Sequence, residues 1–208
     1  MYLSKLVLDP HSRQVQRELG NRYELHRTLA SAFSSEIYPQ ERLLYRLETS
    51  HTQPYLVILL QSMTVPEWSA LAQKSYLQEP VQVKHFEPRL QNGERFLFRM
   101  VANPTRRLRG NEKDGKRVAL YREEDQLEWI LRKAGQHGFK LRAVQITNLG
   151  NEFSYKVIDK ERKLLTHHGV RFEGVLEVLK EEPFRISLER GIGSGKGFGF
   201  GLLSLARA

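Results

Sequence analysis

The chain has 208 residues, 40% of them hydrophobic and 27% charged, without low-complexity tracts; this fits one or two globular domains and excludes disorder as the expected state. Lys and Arg number 33 against 24 Asp and Glu, a formal charge of +9 that points to a polyanionic partner, nucleic acid ahead of a membrane. With no cysteine, disulfides, thiolate catalysis and cysteine-ligated zinc are excluded. No apolar run reaches the length of about 18 residues that a membrane helix needs, and MYLSKLVLDP lacks the basic and apolar regions of a signal peptide. A cytoplasmic protein with no membrane contact is the expectation.

In chain order, YLSKLVL (2–8) reads as a strand closed by Asp9-Pro10, and a basic helix follows from Ser12 to about Leu19. Next comes NRYELHRTLASAF (21–33), a helix for which Asn21 is a natural N-cap and in which neither Gly nor Pro intervenes. At about 100° per residue, Leu25, Leu29, Ala32 and Phe33 share a core arc, while Tyr23, His26, Arg27 and Ala30 share an outward one. A phenol, an imidazole and a guanidinium at i, i+3 and i+4 can move protons and hold a phosphate, a set that suits RNA cleavage. The plainer reading is a solvated basic helix.

Leu43–Glu48 and Tyr55–Gln61 read as paired strands around Thr52-Gln53-Pro54, the second apolar enough to be central in a sheet. A short helix is expected near Pro66, and Asn92-Gly93 marks a turn before the strand ERFLFRMVA. This β-α-β-β-α-β order predicts a ferredoxin-like unit over residues 1–104. The segment NPTRRLRGNEKDGKR (103–117) is rich in cations and lacks an apolar pattern, so 105–117 is expected to be a basic linker, either a solvated connector or an RNA contact. A second domain, 118–208, then begins with an extended Val118-Ala119-Leu120. Its helix runs from about Glu123 to Gln136 with Leu127, Ile130 and Leu131 on one face. Lys140–Thr147 and Glu152–Ile158 read as strands paired around Asn148-Leu149-Gly150-Asn151, with a charged tip at 159–163 that includes Lys160. Val170–Val178 alternates as a half-buried strand, and a last helix covers about Pro183–Arg190.

The tail GIGSGKGFGFG carries glycine at 191, 193, 195, 197, 199 and 201, and fits neither a P-loop nor G-x-G-x-x-G. If the tail is extended, Lys196, Phe198, Phe200 and Leu202 alternate with bare backbone that RNA or a helix can approach closely. A loop leading into a final packed strand is the equal alternative. Seven histidines are present, but His11, His51, His85 and His137 are dispersed and the adjacent His167 and His168 would diverge in a strand, so no metal set or other cofactor is expected.

The YELHR helix after a strand ending KLVLDP, the NPTRR segment and the tail GIGSGKGFGFGLLSL together resemble the CasE family, the CRISPR-associated endoribonuclease subunit of Cascade, nearly end to end. The glycine-rich tail resembles that of the wider RAMP superfamily. The resemblance implies an α+β fold of two tandem ferredoxin-like (βαββαβ) domains. It also implies metal-independent cutting of a CRISPR repeat transcript at the 3′ base of a hairpin, with the product RNA retained beside other Cascade subunits. Tyr23 and His26 stand at the family's catalytic positions. A phenol is mostly protonated near neutrality, so Tyr23 suits orienting or phosphate bonding, while His26 moves a proton, as the acid for the leaving oxygen if nearby phosphates charge it. The RNA-binding candidates are Arg22, Arg27, Arg106, Arg107, Lys160 and Lys196, with Gly191, Gly193, Gly195, Gly197, Gly199 and Gly201 as the close-approach loop. The rival reading is a catalytically inert RNA-binding subunit of the same superfamily.

Overall fold

In the computed structural model, residues 1–207 are described except 35, 37–40, 50–55, 73–74, 109–114 and 159–160. The chain divides into two compact units, Met1–Pro88 with Phe153–Leu165 and Lys196–Gly199, and Arg89–Glu152 with Thr166–Gly195 and Phe200–Ala208.

The first unit contains β1 (Tyr2–Leu8), α1 (Arg13–Leu19), α2 (Arg22–Ala30), β2 (Leu44–Thr49), β3 (Leu56–Ser62), α3 (Ser69–Ala72) and β4 (Gln82–His85). Its strands are antiparallel in the order β2-β3-β1-β4, the ferredoxin-like arrangement, with apolar β3 at an inner position as its composition requires. Alternation places Leu6 and Leu8 of β1 and Ile58 and Leu60 of β3 on the helix side, where Val15, Leu25 and Leu29 meet them in one core. The acid Glu18 is also buried there. Its carboxylate accepts hydrogen bonds from Tyr76 Oη (2.6 Å), Thr28 Oγ1 (2.7 Å) and Gln14 Nε2 (2.8 Å), which meets the cost of burying it and ties α1 to α2.

The second unit contains β5 (Arg95–Ala102), β6 (Thr105–Arg107), β7 (Arg117–Ala119), α4 (Glu123–Gln136), α5 (Glu181–Arg190) and β10 (Leu203–Arg207), with most of the long strands β8 (Phe139–Ile158) and β9 (Glu161–Val178), whose adjoining ends, within Phe153–Leu165, belong to the first unit. The sheet order β10-β5-β9-β8 repeats the ferredoxin-like pattern, so the fold is α+β with two such domains. Phe96, Phe98 and Met100 of β5, Phe172 and Leu176 of β9 and Phe184 of α5 are buried.

Several expectations are corrected. The strand ERFLFRMVA does not close the first sheet: as β5 it lies between β9 and β10, in the unit that begins at Arg89, so residues 89–104 fall outside the first unit. Residues 105–117 are not a linker between domains, because Thr105–Arg107 pairs with Arg117–Ala119 as a hairpin inserted between β5 and α4. No turn interrupts 148–151, where β8 continues through Gly150 and pairs with β9 instead of folding on itself. On α4 the buried residues are Gln126, Trp129, Ile130 and Ala134, whereas Leu127 and Leu131 are exposed. The tail is not extended: it turns repeatedly, with Gly191, Gly193, Gly195, Gly199 and Gly201 at positive φ, before β10 pairs with β5. The turn expected at Thr52-Gln53-Pro54 lies outside the described residues.

Candidate active site

Asn21 caps α2 as its position predicts, with extended backbone and its Oδ1 3.4 Å from Tyr23 N. The same oxygen accepts from Tyr155 N at 3.1 Å, so one side chain fixes both the start of α2 and the segment of β8 that carries Lys156. Lys156 Nζ lies 5.6 Å from the centre of the Tyr23 ring, a cation held over a phenol face. Leu25, Leu29, Ala32 and Phe33 are buried as the helical arc requires, Tyr23 and His26 are partly buried, and Ala30 lies inside rather than outside.

His26 packs on two elements far away in sequence. Its ring stacks on Tyr45 of β2, with centroids 6.2 Å apart and planes 25° from parallel. On its other contact, a Cβ built on Gly197 would lie 3.8 Å from the imidazole, so the tail turn Lys196–Phe198 packs against the ring. Tyr45 is fully buried, and its hydroxyl lies 3.3 Å from both the Arg22 and the Gly197 carbonyl oxygens, linking the first turn of α2 to the tail. Burial pushes the His26 imidazole below its ordinary value near 6.5, so the ring is neutral near pH 7. Arg27 is exposed and pairs with Glu24 at 3.2 Å, an ion pair that water screens and a phosphate can exchange.

The structure therefore gathers Tyr23, His26, Arg22, Lys196 and Gly197 in the first unit, around two residues that the sequence reading missed, Tyr45 and Lys156. Lys156 stands on the expected strand Glu152–Ile158, just before the charged tip at 159–163, but nothing in the strand pattern of 44–49 distinguishes Tyr45 from a core aromatic. Arg106 and Arg107 are exposed on β6 of the second unit, and Lys160 lies outside the described residues. Gly199 has φ +89, and a Cβ there would meet Tyr45 at 3.1 Å; Gly201 has φ +88, and a Cβ there would lie 2.6 Å from the Ile192 carbonyl oxygen. These glycines are needed for tight turning and close approach of protein to protein. Among the described residues no group of three His, Asp or Glu side chains could hold a metal ion, and no helix is long and apolar enough to cross a membrane.

Comparison with known proteins supplies the context for this geometry. A family model described as "CRISPR associated protein" matches residues 1–207. The CRISPR-associated endoribonuclease Cse3 of Thermus thermophilus is 41% identical over 99% of this chain and 100% of its own length. The CRISPR system Cascade subunit CasE of Escherichia coli K12 is 33% identical over 99% of each. A solved structure of CRISPR endoribonuclease Cse3 bound to a 19-nucleotide RNA matches with a TM-score of 0.85 and 42% identity, covering 99% of this chain and 100% of that one. Matched from end to end in sequence and in fold, this chain belongs to the CasE family of CRISPR-associated endoribonucleases.

Proposed function

We propose that this protein cleaves CRISPR repeat transcripts at the 3′ base of a hairpin and keeps the product as guide RNA, working with other Cascade subunits in the cytoplasm. The observation that supports this reading most is the placement of His26. A neutral, partly buried imidazole is stacked on Tyr45 and seated on Gly197, on the helix that also presents Tyr23 beneath Lys156.

RNA carries its own nucleophile, so the protein has only to align the 2′-hydroxyl with the adjacent phosphorus, take its proton and protonate the departing 5′-oxygen. No metal-bound water is called for, and the primary products are a 2′,3′-cyclic phosphate and a 5′-hydroxyl. Because burial disfavours the charged ring, His26 begins as the base. The imidazolium it becomes is then the acid for the leaving oxygen, and RNA phosphates stabilise it. Tyr23 orients the phosphate, and Lys156 and Arg27 offset its charge. Arg22, Lys196, Arg106 and Arg107 hold the RNA backbone, each contact adding to the salt dependence of binding.

A labelled repeat hairpin, incubated with wild type and His26→Ala with and without chelator, tests the reading. His26→Ala should cut about 10²–10⁴-fold more slowly with affinity nearly unchanged, and excess chelator should not slow the wild type. Since kcat/KM reports the free enzyme, it should rise with pH through a value below 6.5 and then level off. Binding without cutting would favour the inert RNA-binding subunit. A wild-type rate abolished by chelator would overturn the metal-independent mechanism.

A further inference from the structure

A second polar constellation, entirely within the second unit, has no part in that chemistry. Tyr121, between β7 and α4, is 59% exposed, and its ring stacks at a tilt on His168, the centroids 4.6 Å apart. His168 is only 7% exposed and is gripped at both nitrogens: Nε2 lies 3.0 Å from Asn148 Oδ1, and Nδ1 lies 3.0 Å from Asn151 Oδ1. Asn148 Oδ1 also accepts from Gln126 Nε2 at 2.7 Å, and Gln126 Nε2 donates to the Leu120 carbonyl at 3.0 Å. These contacts hold in place His168, on which Tyr121 packs, and the carbonyl of Leu120, the residue before Tyr121.

One feature of this network points outward, and one acceptor inside it is left over. Asn148 commits its oxygen to two inward partners, so its amide N–H groups make no hydrogen bond among the described residues, on an exposed stretch of β8 that also holds Asn151. Gln126 Oε1, buried, has no donor among the described residues. An exposed aromatic ring backed by His168, with uncommitted Asn148 amide donors on the residue that holds that imidazole, has the chemistry of a nucleobase receptor: the ring supplies stacking and the amide meets the carbonyl and ring-nitrogen acceptors of the base edge. The surrounding charge separates base from backbone. Glu123, Glu124 and Asp125 in the first turn of α4 repel a phosphate, whereas Arg106, Arg107 and Arg117 on the preceding hairpin attract one.

Resting on the proposed RNA-processing function, we propose that Tyr121, Asn148 and Asn151 receive one unpaired nucleobase of the bound RNA while the β6–β7 hairpin holds its backbone. A paired base, stacked inside a helix, cannot reach the ring.

The test compares Tyr121→Ala, Tyr121→Phe and Tyr121→Trp on two labelled RNAs by fluorescence anisotropy: the repeat hairpin with unpaired nucleotides on both sides, and a blunt duplex of the same stem. Tyr121→Ala should weaken the flanked hairpin roughly 5- to 150-fold, the range for one base stacked on an aromatic ring, and leave the blunt duplex within about twofold. Phe and Trp should restore binding, since each keeps a π-face. Equal loss on both RNAs, or no loss on the flanked hairpin, would overturn the receptor. If the wild type cuts the flanked hairpin and Tyr121→Ala binds it as tightly, the receptor falls and the nuclease reading stands. If the wild type neither binds nor cuts, both fall.

Discussion

Tyr45→Phe removes one oxygen atom from the centre of the site and leaves the ring that His26 stacks on. The lost hydroxyl lies 3.3 Å from the carbonyls of Arg22 and Gly197, distances at the long end for hydrogen bonds. A buried bond nets about 0.5–1.5 kcal/mol, and a buried carbonyl left without its donor costs about 1–3 kcal/mol. Long, shared contacts take the lower end of each range, so a loss of about 1–2 kcal/mol is expected. In a chain of this size each kcal/mol lowers Tm by about 2–4 °C, which gives a drop of about 2–8 °C. The kinetic effect is more diagnostic. Freed from Tyr45, the turn at Gly197 no longer holds the imidazole in place; misplacement worth about 1.4 kcal/mol slows the reaction tenfold. Single-turnover cleavage of a labelled hairpin should therefore show kcat reduced about tenfold, with KM within about twofold because Tyr45 is wholly buried. A lowered Tm with an unchanged rate would refute the idea that Tyr45 positions His26.

Gly201→Ala places a Cβ 2.6 Å from the Ile192 carbonyl at a φ of +88, and should destabilise the protein by about 1–3 kcal/mol in thermal unfolding. Gly93→Ala, also at positive φ but with open space around its Cβ, should cost less; equal costs would contradict the close-approach argument. Glu177 is held at about 2 by hydrogen bonds from Lys140 and Arg142, with Arg95 adding to them. Its folded value lies below the unfolded one near 4.5, so the stabilisation is complete above 4.5 and is lost as pH falls through 2. Circular dichroism should show Glu177→Gln flattening the acid end of the stability profile, and an unaltered profile would show that the cluster contributes nothing there.

Local chemistry was legible in the sequence where it depended on neighbours along the chain. The cap at Asn21, the apolar arc of α2 and the alternation of Phe96, Phe98 and Met100 all follow from short-range geometry. Which sheet a strand joins does not: the alternation in β5 identifies a strand and its inward face, but its partners lie far downstream, the nearest pair being Ala102 with Val170. Asn148-Leu149-Gly150-Asn151 carries the composition of a turn, yet β8 runs through it with Gly150 at φ +89, a conformation that serves a bulge as readily as a turn. On α4, hydropathy selects Leu127 and Leu131, whereas burial selects Gln126, because its amide finds the Leu120 carbonyl and Asn148. Tyr45 escaped the sequence reading for the same reason, its role residing in contacts with Arg22 and Gly197 that only folding creates.

In the proposed mechanism the RNA supplies the nucleophile and His26 moves its proton. A single 2′-deoxy substitution at the nucleotide just upstream of the cut, in an otherwise natural repeat hairpin, isolates the attacking group because it removes one oxygen and leaves stem, charge and flanks intact. Wild-type protein should bind this RNA within a few-fold of the all-ribose hairpin and fail to cut it, while the all-ribose control yields a 2′,3′-cyclic phosphate and a 5′-hydroxyl. Cutting of the deoxy substrate at the normal rate would show that the 2′-hydroxyl is not the nucleophile.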